Sequence, residues 1–140
     1  MIQTFEELKY IYDSIFDEKN DLLTMDGHLL FRDTGINQYK QLSRKLPSGR
    51  TVRIRVHTVI LLNKLKLLSM PPSCEASHLC HIKNCISENH INAEPHNVNM
   101  ERVHCADERG LRRDPSYCKG HGQYPNCIGN KNKCICRSHM

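Results

Sequence analysis

The hydrophobic positions of this chain change period repeatedly, and each change marks an element. Phe5, Leu8, Ile11, Ile15 and Phe16 recur at helical spacing behind a Thr4-x-x-Glu7 capping box, which predicts an opening helix over residues 4–18 that serves as scaffold. Asp26-Gly27 is a turn signal between the short runs 22–25 and 28–31, a hairpin pattern. Asp33-Thr34-Gly35 marks another turn, followed by residues 36–42, and Pro47-Ser48-Gly49 a third. Beyond it Arg50, Val52, Ile54 and Val56 alternate with Thr51, Arg53 and Arg55, so a strand here has one mostly apolar face and one basic face. From His57 to Leu68 the spacing of Val59, Ile60, Leu62, Leu65, Leu67 and Leu68 suits a buried helix, with Pro71-Pro72 as its end. Residues 73–92 read as a Cys/His-rich loop region. Pro95 opens a helix that should run to about Arg109 and stop at Gly110.

Composition changes this picture at the C-terminal end. The chain has 140 residues, the size of one domain, but only 6% aromatic residues and no Trp, a thin core that calls for another stabiliser. All eight cysteines lie at or after Cys74, interleaved with histidines. Cysteines mixed with histidines point to zinc; cysteines alone would point to disulfides. The tail from Arg112, rich in Gly, Cys and His, cannot form a core by itself and is expected to fold around metal. The first residues show no basic segment followed by an apolar run, and the longest apolar stretch is broken by His57, Asn63, Lys64 and Lys66. Neither a signal peptide nor a bilayer span is therefore expected. The expected setting is reducing, intracellular and nuclear; the rival is a secreted protein with four disulfides.

Charge placement adds a candidate partner. The net charge is +5, yet residues 41–70 carry seven bases (Arg44, Lys45, Arg50, Arg53, Arg55, Lys64, Lys66) and no acid. Such a block is a footprint for a polyanion, and a basic antiparallel ribbon can enter the DNA major groove. A solvated surface would carry the same charges.

Two clusters carry candidate metal chemistry. Cys80-x4-Cys85-x4-His90 offers three soft ligands; a closed site needs a fourth. Cys74 is the nearest candidate, with the tail cysteines and His81 as alternatives. Cys105, Cys118, His121 and Cys127 make a second set of four around a glycine-rich turn. Cys134, Cys136 and His139 remain without an assigned role.

The run Ala76-Ser77-His78-Leu79-Cys80-His81, followed by Cys85, His90, Asn99 and Cys105, resembles the His-Cys box homing endonucleases of the ββα-metal (His-Me finger) nuclease superfamily. The resemblance runs without a gap from Cys74 to Cys105 and continues loosely to Cys127. It implies a water-activating general base at His78 and a magnesium ligand at Asn99. It implies one structural zinc at Cys80, Cys85 and His90 and a second at Cys105, Cys118, His121 and Cys127. The family takes the remaining cysteine of the first zinc from far upstream, where this chain has none, so either Cys74 substitutes or the site is built differently. The resemblance also implies an arginine on the scissile phosphate, best matched by Arg50, with Arg53 and Arg55 as rivals.

These readings converge on an α+β fold with a ββα-metal motif, an antiparallel DNA-binding sheet and two structural zinc sites. The expected organisation is one domain over 1–140. Its parts are a helix and basic sheet (1–70), the His-Cys box core (71–110) and a zinc-bound tail (111–140). The expected function is a magnesium-dependent, sequence-specific endonuclease of double-stranded DNA, acting as a homodimer. A zinc-stabilised DNA-binding module without catalysis is the alternative.

Overall fold

A computed structural model of the chain describes residues 1–17, 22–25, 28–31, 39–83, 85–103, 105, 121–125 and 127–128. Cys118, Cys134, Cys136 and His139 lie outside the described residues, as does most of the tail.

The chain enters helix α1, Phe5–Ile15, through the expected cap: the Thr4 hydroxyl accepts from the Glu7 amide at 3.1 Å. The Glu7 carboxylate turns back to the Gln3 amide at 2.8 Å, so two amides at the helix start are satisfied. Leu8, Ile11 and Ile15 form its buried stripe. Strands β1 (Leu22–Met25) and β2 (His28–Phe31) pair antiparallel, with Met25 opposite His28, in keeping with the hairpin pattern of the two runs; Asp26 and Gly27 lie outside the described residues.

Strands β3 (Gln41–Lys45) and β4 (Thr51–Arg55) form a second antiparallel ribbon, with Gln41 opposite Arg55, Ser43 opposite Arg53 and Lys45 opposite Thr51. These six side chains are all exposed, while Leu42 and Val52 are buried beneath them. Helix α2, Val56–Leu65, follows directly. It stops earlier than the prolines suggest. Lys66 adopts a left-handed conformation, and the Leu67 amide reaches back to the Leu62 carbonyl at 3.1 Å, which closes the helix end with a Schellman-type turn. Leu67 and Leu68 then pack onto the core from outside the helix.

Strands β5 (Cys74–His78) and β6 (Ile91–Pro95) make a third ribbon, with His78 opposite Ile91. The segment between them carries Cys80, Cys85 and a single 3₁₀ turn, Glu88–His90. Helix α3, His96–Arg102, leaves β6 at once. It is shorter than the expected run to Arg109. Pro95 caps it, and the Cys105 amide bonds to the Arg102 carbonyl at 2.9 Å, turning Cys105 towards His121 and Cys127. The described residues therefore form a mixed α+β structure of small two-stranded antiparallel sheets. No described helix is long and apolar enough to cross a membrane.

Candidate metal centres and the cavity beside them

Cys80, Cys85 and His90 are all buried, and their ligand atoms lie within 4.8 Å of one another. The Cys85 sulfur is 3.6 Å from His90 Nδ1. A tetrahedral zinc with the usual Zn–S and Zn–N lengths has ligand–ligand edges of roughly 3.4–3.8 Å, so this group has the right size. Local structure brings the three together. His81 takes a positive φ of 64°, which bends the chain sharply after Cys80. The Ile86 amide bonds to Leu29 O at 2.6 Å, Leu30 pairs with Cys85, and the Leu79 amide bonds to His90 O at 2.7 Å. Burial pushes the Cys80 thiol well above its ordinary value, with Cys85 beside it adding to the effect. Two sulfurs so placed resist ionisation unless a cation compensates them.

Cys105, His121 and Cys127 form the second buried group. His121 Nε2 lies 3.4 Å from the Cys105 sulfur and 3.3 Å from that of Cys127, again the edge lengths of a metal tetrahedron. On the other side of the ring, Nδ1 is 3.5 Å from a Glu101 carboxylate oxygen. A carboxylate behind the distal nitrogen is the usual device for orienting a metal-binding imidazole. Gly122 follows with φ 62°, a turn that favours glycine. Both Cys/His groups can therefore bind a metal ion.

A cavity of about 100 Å³ lies against the first group, lined by Tyr39, His78, His81, Lys83, Asn99, Arg102 and Val103. The sequence-predicted pair His78 and Asn99 thus shares one cavity. His78 ends β5, and its Nε2 donates to the Cys85 carbonyl at 2.8 Å. A carbonyl can only accept, so the proton sits on Nε2 and a neutral ring keeps its lone pair on Nδ1. That Nδ1 is buried and has no hydrogen-bond partner among the described residues. Burial pushes His78 below the ordinary histidine value. Asn99, on α3, accepts from Ser77 Oγ at 2.8 Å and donates to Glu75 Oε1 at 2.6 Å.

Three rings pack at this point: His57 lies 4.6 Å from His78 and 4.9 Å from Tyr39 between centroids. Burial, then the nearby His78, pushes His57 down to about 3, so it is neutral near pH 7. Arg55 sits 4.7 Å above the Tyr39 ring and Lys83 5.3 Å from it, which brings two cations close to the cavity. Larger clefts of about 580 and 340 Å³ border α1 and contain no Cys or His.

Two sequence expectations need correction. Arg50 does not line the cavity; its guanidinium bonds Glu7 at 2.5 Å and the Met1 carbonyl. It stands before β4 rather than within it, and the acidic first turn of α1 captures it. Of the strand arginines, Arg55 is the one stacked on a cavity-lining ring; Arg53 stays on the exposed ribbon face. Cys74 is not part of the first metal group. It begins β5 opposite Pro95, while the metal group adjoins His78 at the other end of that strand, roughly 13 Å away at ~3.3 Å per residue. Cys74, Cys80, Cys85, Cys105 and Cys127 all carry thiols.

Sequence reasoning missed the buried pair Glu94–Arg102, with bonds of 2.5 and 2.8 Å. Arg102 also donates to the Cys127 sulfur at 3.2 Å, which joins the β5–β6–α3 unit to the second metal group. Burial, the largest single influence, would raise Glu94, but the hydrogen bonds from Arg102, Ser77 and Asn92 and the charge of Arg102 together outweigh it and hold the carboxyl below the ordinary range. Nothing in the spacing of Glu94 and Arg102 marks them as a pair; a polar residue facing inward from β6 was the available signal. Glu75, Tyr39 and Lys83 were missed as well.

No protein-family model, curated protein or solved structure matches the chain.

Proposed function

We propose that the chain is a magnesium-dependent endonuclease of double-stranded DNA, hydrolysing phosphodiesters at a ββα-metal site formed by β5, β6 and α3. One observation carries the reading: His78 and Asn99 line the same cavity, and the Cys85 carbonyl holds the His78 proton on Nε2, leaving the buried Nδ1 as acceptor. A neutral imidazole in that tautomer is suited to take a proton from an attacking water. Asn99 offers an amide oxygen, and a magnesium ion held there would supply charge stabilisation at the leaving oxygen. Arg55 and Lys83, gathered on Tyr39, would meet the phosphate.

Zinc suits both Cys/His groups, because soft sulfur and imidazole donors at tetrahedral spacing favour it. In the first group it would fix the Cys85 carbonyl, and through that bond the tautomer of His78. The exposed face of the two-stranded β3–β4 ribbon, with Gln41, Ser43, Lys45, Thr51, Arg53 and Arg55, carries donor groups suited to major-groove docking. A homodimer belongs to the same reading, since cutting two strands takes two active sites. So does action on DNA in the nucleus.

The test is cleavage of a randomised double-stranded DNA library by the zinc-loaded chain with magnesium, comparing wild type with His78→Ala. Cuts at a defined site by the wild type alone are the expected result. Selective binding without cutting, unchanged in His78→Ala, would favour a zinc-stabilised DNA-binding module instead. Binding should weaken steeply with salt; salt-insensitive affinity would count against the basic ribbon.

A further inference from the structure

Asn99 is a neutral ligand, and its amide contributes no net charge to a cation site. Magnesium in protein sites is usually bound through one or two carboxylates together with substrate phosphates. The described residue that brings a carboxylate directly onto Asn99 is Glu75. Its Oε1 accepts from Asn99 Nδ2 at 2.6 Å and lies 3.0 Å from His96 Nδ1. Both contacts end on Oε1, so Oε2 takes neither. The side chain is 40% exposed, open to an ion from solvent. The Asn99 hydrogen bond, chiefly, holds the carboxyl below its ordinary value.

We infer that Glu75 is a second protein ligand, beside Asn99, for a divalent cation bound on the Glu75 side of Asn99, next to the cavity that Asn99 and His78 line. The inference rests on the nuclease reading for what the cation does, but its geometry stands alone. The Asn99 amide turns its NH₂ group towards Glu75, as the charge of the carboxylate favours. Turning the amide over exchanges Oδ1 for Nδ2. Two oxygens then face each other at close to the present 2.6 Å separation, near the roughly 2.9 Å between adjacent ligands of an octahedral magnesium. Only a cation between them makes that arrangement favourable. The partner on the other side permits it, because the Ser77 hydroxyl, 2.8 Å from Asn99, can accept from Nδ2 as readily as it now donates to Oδ1. Glu75 and Ser77 project from the same side of β5, two residues apart, so the strand holds both groups around one amide.

Manganese(II), a paramagnetic substitute for magnesium, tests this on the zinc-loaded full chain without DNA. Free manganese is counted by electron paramagnetic resonance during titration of wild type, Glu75→Gln, Glu75→Asp and Asn99→Ala. One manganese per wild-type chain is expected, with affinity falling at least about tenfold in both Glu75→Gln and Asn99→Ala and largely retained in Glu75→Asp. Wild-type affinity in Glu75→Gln alongside loss in Asn99→Ala would overturn the role of Glu75 and leave the nuclease reading standing. A wild type that takes up no manganese would also overturn the inference. DNA cleavage, measured separately with magnesium, decides the nuclease reading by itself.

Discussion

Residues 1–62 and residues 74–128 are built from different materials. The main apolar cluster draws Ile2, Leu8, Ile11, Ile15, Leu42, Leu46, Val52, Val56, Val59, Ile60, Leu61 and Leu62 from the first region and only Ile86 and Ile91 from the second. The buried polar and charged groups are distributed the other way. The first region buries His57 alone, whereas the second buries Ser77, His78, His90, Glu94, Arg102 and His121 among the described residues. Apolar burial can order the first region without help. The second encloses thiols and imidazoles in two groups that could hold a metal ion, so under the proposed function its order would depend on the ions they bind. The comparison teaches where the proposed site would be vulnerable: the His78–Asn99 cavity lies in the region that carries both candidate metal groups.

Removing the metal should break the comparison most visibly. Chelation, or Cys85→Ser, should abolish amide protection across residues 74–105 while α1 and the β3–β4 ribbon keep theirs in hydrogen exchange. Equal loss in both regions would mean they are not separately supported. Next in size is the buried ion pair. Arg102→Met strands the Glu94 carboxylate in the interior and should cost about 3–5 kcal/mol in denaturant unfolding, with the double variant Glu94→Leu/Arg102→Met recovering much of it. Equal losses in the single and double variants would show that packing, not charge, is at stake.

An effect of similar total size, spread over several pH units and absent at neutral pH, sharpens the contrast from the other side. His57, the buried titratable group of the first region, is held near 3 in the folded chain, below the ~6.5 of an unfolded histidine. The unfolded chain therefore binds the proton first. The stability His57 contributes is complete above about pH 6.5 and is lost as pH falls towards 3, by up to about 1.4 kcal/mol per pH unit. His57→Phe should flatten that dependence in the same window, measured as unfolding midpoints against pH. An unchanged slope would assign the acid sensitivity to the metal ligands instead. Least in size, Thr4→Ala removes the α1 cap and should cost about 1 kcal/mol, with the metal-dependent region unaffected in hydrogen exchange.

What the sequence makes legible follows the same division. Period and turn chemistry place α1, the 22–31 hairpin and the β4 alternation, because these elements are set by local pattern and by a core that lies close in sequence. The cysteine and histidine spacing brings out both candidate metal groups, since Cys80, Cys85 and His90 at steps of five residues, and His121 and Cys127 at six, are constrained by the turns between them. Asn99 and His78, both singled out in the sequence, line one cavity. Contacts decided in three dimensions stay hidden: Arg50 is captured by Glu7, 43 residues away, and Cys74 is carried to the wrong end of its strand by the register of β5 with β6. The end of α2 was misjudged because a left-handed Lys66 has no sequence signature comparable to a glycine. Glu94 with Arg102 and Glu75 with Asn99 join residues on different elements, and no periodicity encodes such pairs.

The most direct test of the central claim is single-turnover cleavage of a site recovered from the DNA library, with affinity measured on the same samples for wild type and His78→Ala. The account predicts unchanged affinity and zinc content with a cleavage rate reduced about 10²–10⁴-fold, the usual contribution of a positioned general base. Equal cleavage rates in the two proteins, or no cleavage by either under saturating magnesium, would contradict it.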